Sequence, residues 1–158
     1  MRNRLLQRLR TLGRDERGAS MIEFAFFAPI LAMMVMGITD VSMGFSRKLT
    51  LEAAAYRSLE RVAVGSVQTD YSYLRPEAAA AAGVPVDDVA VDNWLECDGV
   101  RQTEFLGACT ETQMTSRYVR ISITGSFTPS FSYGPLARGV ARDDGTVPLT
   151  ASTALRIQ

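Results

Sequence analysis

Few side chains in this sequence could do chemistry, and the most informative is a lone carboxylate, Glu23, at the head of an apolar run. From Phe24 to Thr39, sixteen consecutive residues are uncharged and mostly apolar. A carboxylate at the centre of a membrane span costs about 2.5–3.5 kcal/mol on insertion scales, and less near an edge, so it persists best beside a partner. The chemistry open to it is ionic: pairing with an amine where the dielectric is low, which can set the axial register of packed helices. The plainer reading is an acid in the first helical turn, favoured by the helix dipole and reached by water. Cys97 and Cys109 form the second constellation, enclosing a loop with Asp98-Gly99 and Gly107-Ala108. They read as a disulfide, which at that span would contribute roughly 3 kcal/mol by restricting the unfolded chain. Two buried thiols or a metal pair are the alternatives, and zinc is disfavoured because the chain has no His and no CxxC spacing.

Catalysis finds no support. There is no His for acid–base work, no Cys–His or Ser–His pair and no phosphate-binding glycine loop. Asp87-Asp88, beside Pro85, reads as a solvated turn. No enzyme activity, cofactor or metal is expected. Met33, Met34 and Met36 with Phe24, Phe26 and Phe27 are explained by lipid contact and helix packing.

The elements that must position these groups follow from length and pattern. The chain has 158 residues, and setting the apolar segment aside leaves about a hundred for one small core. Net charge is zero, with 17 basic and 17 acidic residues. Residues 1–18 hold six Arg against Asp15 and Glu16, so the rest holds 11 bases against 15 acids, net minus four. Arginines on the short N-terminal side predict a cytoplasmic N-terminus and export of everything after Asp40. That places both cysteines in an oxidising compartment. A net acidic exported part and a leader facing the cytoplasm argue against nucleic-acid binding.

The uncharged run rises about 24 Å as a helix, short of the roughly 30 Å hydrocarbon layer, but Ala19 to Ile22 and Val41 to Phe45 can extend it. Signal cleavage past the run finds only a poor site at Ser42-Met43-Gly44. Arg47 to Val64 continues the helical pattern, placing Leu49, Ala53, Tyr56, Leu59 or Glu60, and Ala63 at helical spacing, with Arg57, Glu60 and Arg61 on a solvated face. One helix from about Met21 to Val64 is predicted, kinked or locally broken near Pro29. Pro76 to Ala82 reads as a short helix opened by Pro and closed by Gly83, after a polar and aromatic loop from Thr69 to Tyr73. Val89 to Leu95, Tyr118 to Phe127 and Val147 to Ile157 read as strands, the last two separated by turns at Ser132 to Pro135 and Asp143-Asp144-Gly145. In the middle strand Val119, Ile121 and Ile123 alternate with Arg120, Ser122 and Thr124, as a half-buried antiparallel strand requires. The expected fold class is α+β: a long N-terminal helix with a small antiparallel β-sheet packed on it.

With these features in place, the chain resembles the TadE-like proteins, minor pseudopilins of the Tad (Flp, type IVb) branch of type IV pilus machinery. The resemblance rests on Arg17-Gly18-Ala19, Glu23-Phe24-Ala25, Pro29, the Arg- and Ala-rich helix from Arg47 to Val64 and, more loosely, the tail LTASTALRIQ. It implies a pilin-like layout: a cytoplasmic basic leader at 1–18, a transmembrane helix at 19–46, its periplasmic continuation at 47–65 and a small periplasmic α+β domain at 66–158. It also implies cleavage between Gly18 and Ala19 by a prepilin peptidase, Glu23 as the assembly carboxylate at the fifth mature position, and Phe24 and Ala25 as its adjoining motif. Implied partners are the prepilin peptidase, other pseudopilins, the major pilin, inner-membrane platform proteins and membrane lipid. Implied localisation is single-pass in the inner membrane with incorporation into an extracellular pilus. Two other readings stay open: an unprocessed single-span inner-membrane protein whose periplasmic domain binds envelope components, and a binding domain released by signal cleavage.

Overall fold

The computed structural model describes residues 19–65, 67–131 and 141–157. The leader, Gly18 and the connection from Ser132 to Pro135 lie outside the described residues. The chain divides into two compact units, Met1–Val41 and Ser42–Gln158.

Helix α1, Ala19–Val64, passes through both units and is 46 residues long. The predicted helix is present, two residues longer at its start, and Pro29 lies inside it without a break in the assigned helix. Pro29 removes only its own N–H, so one ladder bond is lost while the turns on either side persist. The second unit holds the remainder of the fold: α2 (Leu74–Ala82), a single 3-10 turn (Val86–Asp88), and strands β1 (Val89–Cys97), β2 (Val100–Arg101), β3 (Thr115–Phe127) and β4 (Val147–Arg156). The strands form one sheet in the order β2-β1-β3-β4, and every neighbouring pair is antiparallel.

The alternation of β3 does what its pattern predicts. Val119, Ile121 and Ile123 are fully buried while Arg120 is exposed. Register carries that face across the sheet, with Val89 opposite Ile123 and Ala151 also opposite Ile123. The second half of α1 covers this face with Leu51, Ala54, Ala55, Leu59 and Val62, and α2 adds Leu74, Ala78, Ala79 and Ala82 to the same cluster. Gly125 marks the closest approach, because a Cβ there would lie 3.0 Å from Leu51 Cδ1. Of the positions at helical spacing, Leu59 joins the core, whereas Leu49, Ala53, Tyr56, Glu60 and Ala63 remain exposed.

α2 begins at Leu74, two residues before Pro76, since Pro needs no N–H partner in a first turn and Leu74 supplies a buried anchor. It ends as predicted at Gly83, whose φ of 62° and ψ of 47° suit glycine. Arg47 closes the same end, donating from Nη1 to the Ala82 carbonyl at 2.8 Å and from Nη2 to the Gly83 carbonyl at 3.3 Å. A cation there also complements the helix dipole. Strand β1 runs two residues past its predicted end to Cys97, and β3 begins three residues early at Thr115, because the two pair from Val89–Ile123 down to Cys97–Thr115. The two-residue β2 was not anticipated. Asp98 and Gly99 at φ 53° and 80° make the tight turn into it.

Candidate assembly surface

In the first unit, Glu23, Phe24 and Ala25 are exposed on α1, with Phe24 66% accessible. Ala19 is the first residue of that helix. The apolar stretch is a candidate membrane span with a mean hydropathy of 2.1, and none of its most apolar window is buried. Ile22, Phe26, Phe27, Ile30, Leu31 and Val35 are all more than half exposed. Full exposure of such side chains to water would forgo about 1.5–3 kcal/mol each, so this surface calls for lipid or other helices as its solvent. Among the described residues Glu23 has no ion pair. Asp40, at the other end of the run, is buried.

In the second unit, the exposed stripe of α1 has its own geometry. Leu49, Ala53 and Tyr56 stand four and three residues apart, hence on one face, and are uncovered by the sheet. With Glu52, Ala55, Ser152 and Thr153 they line a groove of about 540 Å³ between α1 and β4. β4 is an edge strand, and Pro148, which cannot donate, must direct its missing N–H away from β3. Lys48 sits over that edge, donating to the Thr150 carbonyl and pairing with Glu52 at 3.0 Å. A charged side chain over an edge hinders further strand pairing, which leaves the helix face as the open apolar surface of this side.

At the opposite edge, Cys97 and Cys109 are joined, with Cα atoms 5.6 Å apart. Cys97 is buried and Cys109 half-buried. The loop they close is tied down from beneath: Arg117 Nε donates to the Phe105 carbonyl at 3.1 Å and Nη2 to the Gly107 carbonyl at 2.8 Å. The Phe105 ring meets buried Tyr71 edge-on at 5.9 Å. On the sheet face away from the helices, Trp94 stacks on Tyr118 at 5.2 Å. The Arg101 and Arg120 guanidinium carbons lie 4.8 and 4.7 Å from the centre of its ring. Trp94 is only 6% exposed, and its indole N–H donates to Glu96 at 2.7 Å.

Asp87 and Asp88 are exposed in the 3-10 turn, and no cluster of three metal-ligating side chains occurs among the described residues. Asp144 is held below the usual carboxyl range by a hydrogen bond from the Thr146 hydroxyl, and Asp70 likewise by Ser72. Tyr73 is raised by partial burial and then by Tyr71 beside it. The structure joins the two cysteines but keeps them in a different unit from Glu23. The clasps at Arg47, Lys48 and Arg117 carry no local sequence signal.

No curated protein and no solved structure matches the chain. A family model does match, and it falls on the segment that carries Glu23 and the exposed helix stripe. That family is of a pilus structural type, associated with Tad pilus systems and pilus components, and together with the apolar helix it points to membrane anchoring. Over residues 18–59, the chain matches the model of the TadE-like protein family, which its Glu23-Phe24-Ala25, Pro29 and Arg- and Ala-rich helix resemble.

Proposed function

We propose that the chain is a minor pseudopilin, a non-enzymatic structural or assembly component of a Tad pilus or related secretion machine. In this reading residues 1–18 are a cytoplasmic leader, 19–46 span the inner membrane, 47–65 continue the helix into the periplasm and 66–158 form a periplasmic domain. A prepilin peptidase cleaves after Gly18. The amine freed on Ala19 of one subunit then meets Glu23 of a neighbour, where losing either partner leaves the other unpaired in a medium poor in water. Partners are other pseudopilins, the major pilin and the inner-membrane platform.

The observation that carries this reading is one helix serving two purposes. Its second half buries one stripe on the sheet, whereas its apolar first half and the stripe through Leu49, Ala53 and Tyr56 are uncovered within this chain. The family match beginning at Gly18 supports the processing step. The test is the mature N-terminus, read by intact mass and N-terminal peptide sequencing of membranes from cells with and without the peptidase. A peptidase-dependent start at Ala19 is expected. A start at Met1 in both strains removes processing, and with it the amine that Glu23 needs, leaving an unprocessed single-span protein with a periplasmic binding domain.

A further inference from the structure

The sheet face turned away from the helices departs from the rest of the chain in charge. Residues 19–158 are net minus four, yet the strands place Arg101, Arg120 and Arg156 on this face. Its two strand acids are engaged: Asp92 holds the Arg101 guanidinium at 2.9 Å, and Glu96 accepts the Trp94 indole N–H at 2.7 Å. Arg120 stands opposite Asp92 in the β1–β3 register, but its guanidinium lies over the Trp94 ring instead. It is exposed and, among the described residues, makes no ion pair. Stacking on Trp94 uses only the flat face of that guanidinium, so its N–H edge stays in water, where it can take a carboxylate. Arg156, opposite Tyr118 on the next strand, extends the basic row.

Beyond the arginines the same face is lined with hydroxyls. Ser122 stands opposite Ser152 and Thr124 opposite Thr150, and the two serine Oγ atoms are 3.0 Å apart. The aromatic side chains beside them are covered, with Trp94 6% exposed and Tyr118 half-buried. A protein partner needs an apolar centre to its interface, and these strands offer none. Arginines next to rows of hydroxyls are instead the complement of a ligand that is itself both acidic and rich in hydroxyls.

We propose that this face binds an acidic polysaccharide, with Arg120 and Arg156 taking sugar carboxylates and Ser122, Ser152, Thr124 and Thr150 meeting sugar hydroxyls. The inference goes beyond the assembly role and does not rest on it, since every residue involved lies in the second unit, on the face that α1 leaves bare.

The test reads the emission of Trp94, the sole tryptophan, from the full chain in nonionic detergent micelles. A local reporter is needed because the six arginines of residues 1–18 would attract any polyanion. The probe is polygalacturonate, with dextran as the uncharged polysaccharide and poly-glutamate as the acidic polymer without sugar. Polygalacturonate is expected to change the emission saturably at concentrations where the other two do not, because a carboxylate on Arg120 alters the cation above the ring. Arg120→Gln is expected to need roughly tenfold more polymer for half the change, the scale of one hydrogen bond to a charged group, at an unchanged thermal midpoint. Should that midpoint fall, Arg120→Lys keeps a charge above the ring without the planar fork, and it too is expected to weaken the response. Unchanged emission with polygalacturonate overturns the inference. So does an equal response to poly-glutamate, which would mean attraction by charge alone, or an equal response to dextran, which would remove charge from the recognition. Half-saturation unchanged in both Arg120 variants also overturns it.

Discussion

At Gly125 the absent side chain is a packing requirement, since Leu51 occupies the space that a Cβ would need. Gly125→Val is expected to destabilise the second unit by about 1–3 kcal/mol through overpacking, read as a lower thermal midpoint of the detergent-solubilised chain; an unchanged midpoint would mean that α1 can shift off the sheet freely. Glu23 is the opposite case, a side chain with nothing to pack against within its own unit. Glu23→Gln keeps its size and removes its charge. Under the proposed role it leaves the start at Ala19 unchanged and depletes the protein from sheared filaments, and equal incorporation of variant and wild type would sink the ion-pair role. Asp70 and Asp144 supply a pH effect. Each carboxyl titrates below the usual 3.8 in the folded chain because a neighbouring hydroxyl donates to it. A depressed folded value supports the fold above the unfolded one and fades as pH falls through the folded one, so the effect is confined to acid below about pH 4. In Asp144→Asn the thermal midpoint is expected to fall less steeply over that range than in the wild type.

At the scale of elements, α1 shows what a sequence pattern can and cannot convey. Its existence and length were legible because strong helix formers run unbroken from Arg47 to Val64. Its phase was not, because the Ala-rich filling offers little contrast, and two stripes one step apart are both apolar enough to be core. The sheet settles which one is buried: Leu51, Ala54, Ala55, Leu59 and Val62. The displaced stripe through Leu49, Ala53 and Tyr56 then becomes informative for being uncovered. Tyr56→Glu is expected to leave the thermal midpoint within about 0.5 kcal/mol equivalent, as for other surface changes, and, under the proposed role, to lower recovery of the chain in sheared filaments; a large loss of stability would assign Tyr56 to the fold instead. The alternation of β3 was legible for the converse reason, with large β-branched residues set strictly against polar ones. The β1–β2 hairpin had a readable signal in Asp98-Gly99, masked by the shortness of its second strand.

For the whole molecule, stability rests on contacts that are distant in sequence, which no local motif announces. Arg47 finds the end of α2 35 residues away, and Lys48 finds β4 102 residues away. Nothing in the sequence around this basic pair marks either contact, yet the fold uses both residues as clasps. The cystine staples one edge of a small core. Cys97→Ser with Cys109→Ser is expected to cost roughly 2–4 kcal/mol and to raise proteolysis between Val100 and Met114, with Arg117 still holding the Phe105 and Gly107 carbonyls. An equal midpoint for the double variant and the wild type would show that those hydrogen bonds suffice.

The order of the elements along the chain also imposes a timetable. The stripe that α1 presents to the sheet is complete at Val62, yet the last strand to cover the core, with Ala151 at its centre, is made some 89 residues later. At ordinary elongation rates that interval is roughly 4–18 s. Throughout it a newborn chain displays a helix with both apolar stripes bare, the one that its own strands will cover and the one through Leu49, Ala53 and Tyr56. Under the proposed role, a premature encounter with a neighbour would compete for the same helix that the final strand has yet to claim, and the carboxyl-terminal strand would have to arrive before assembly begins.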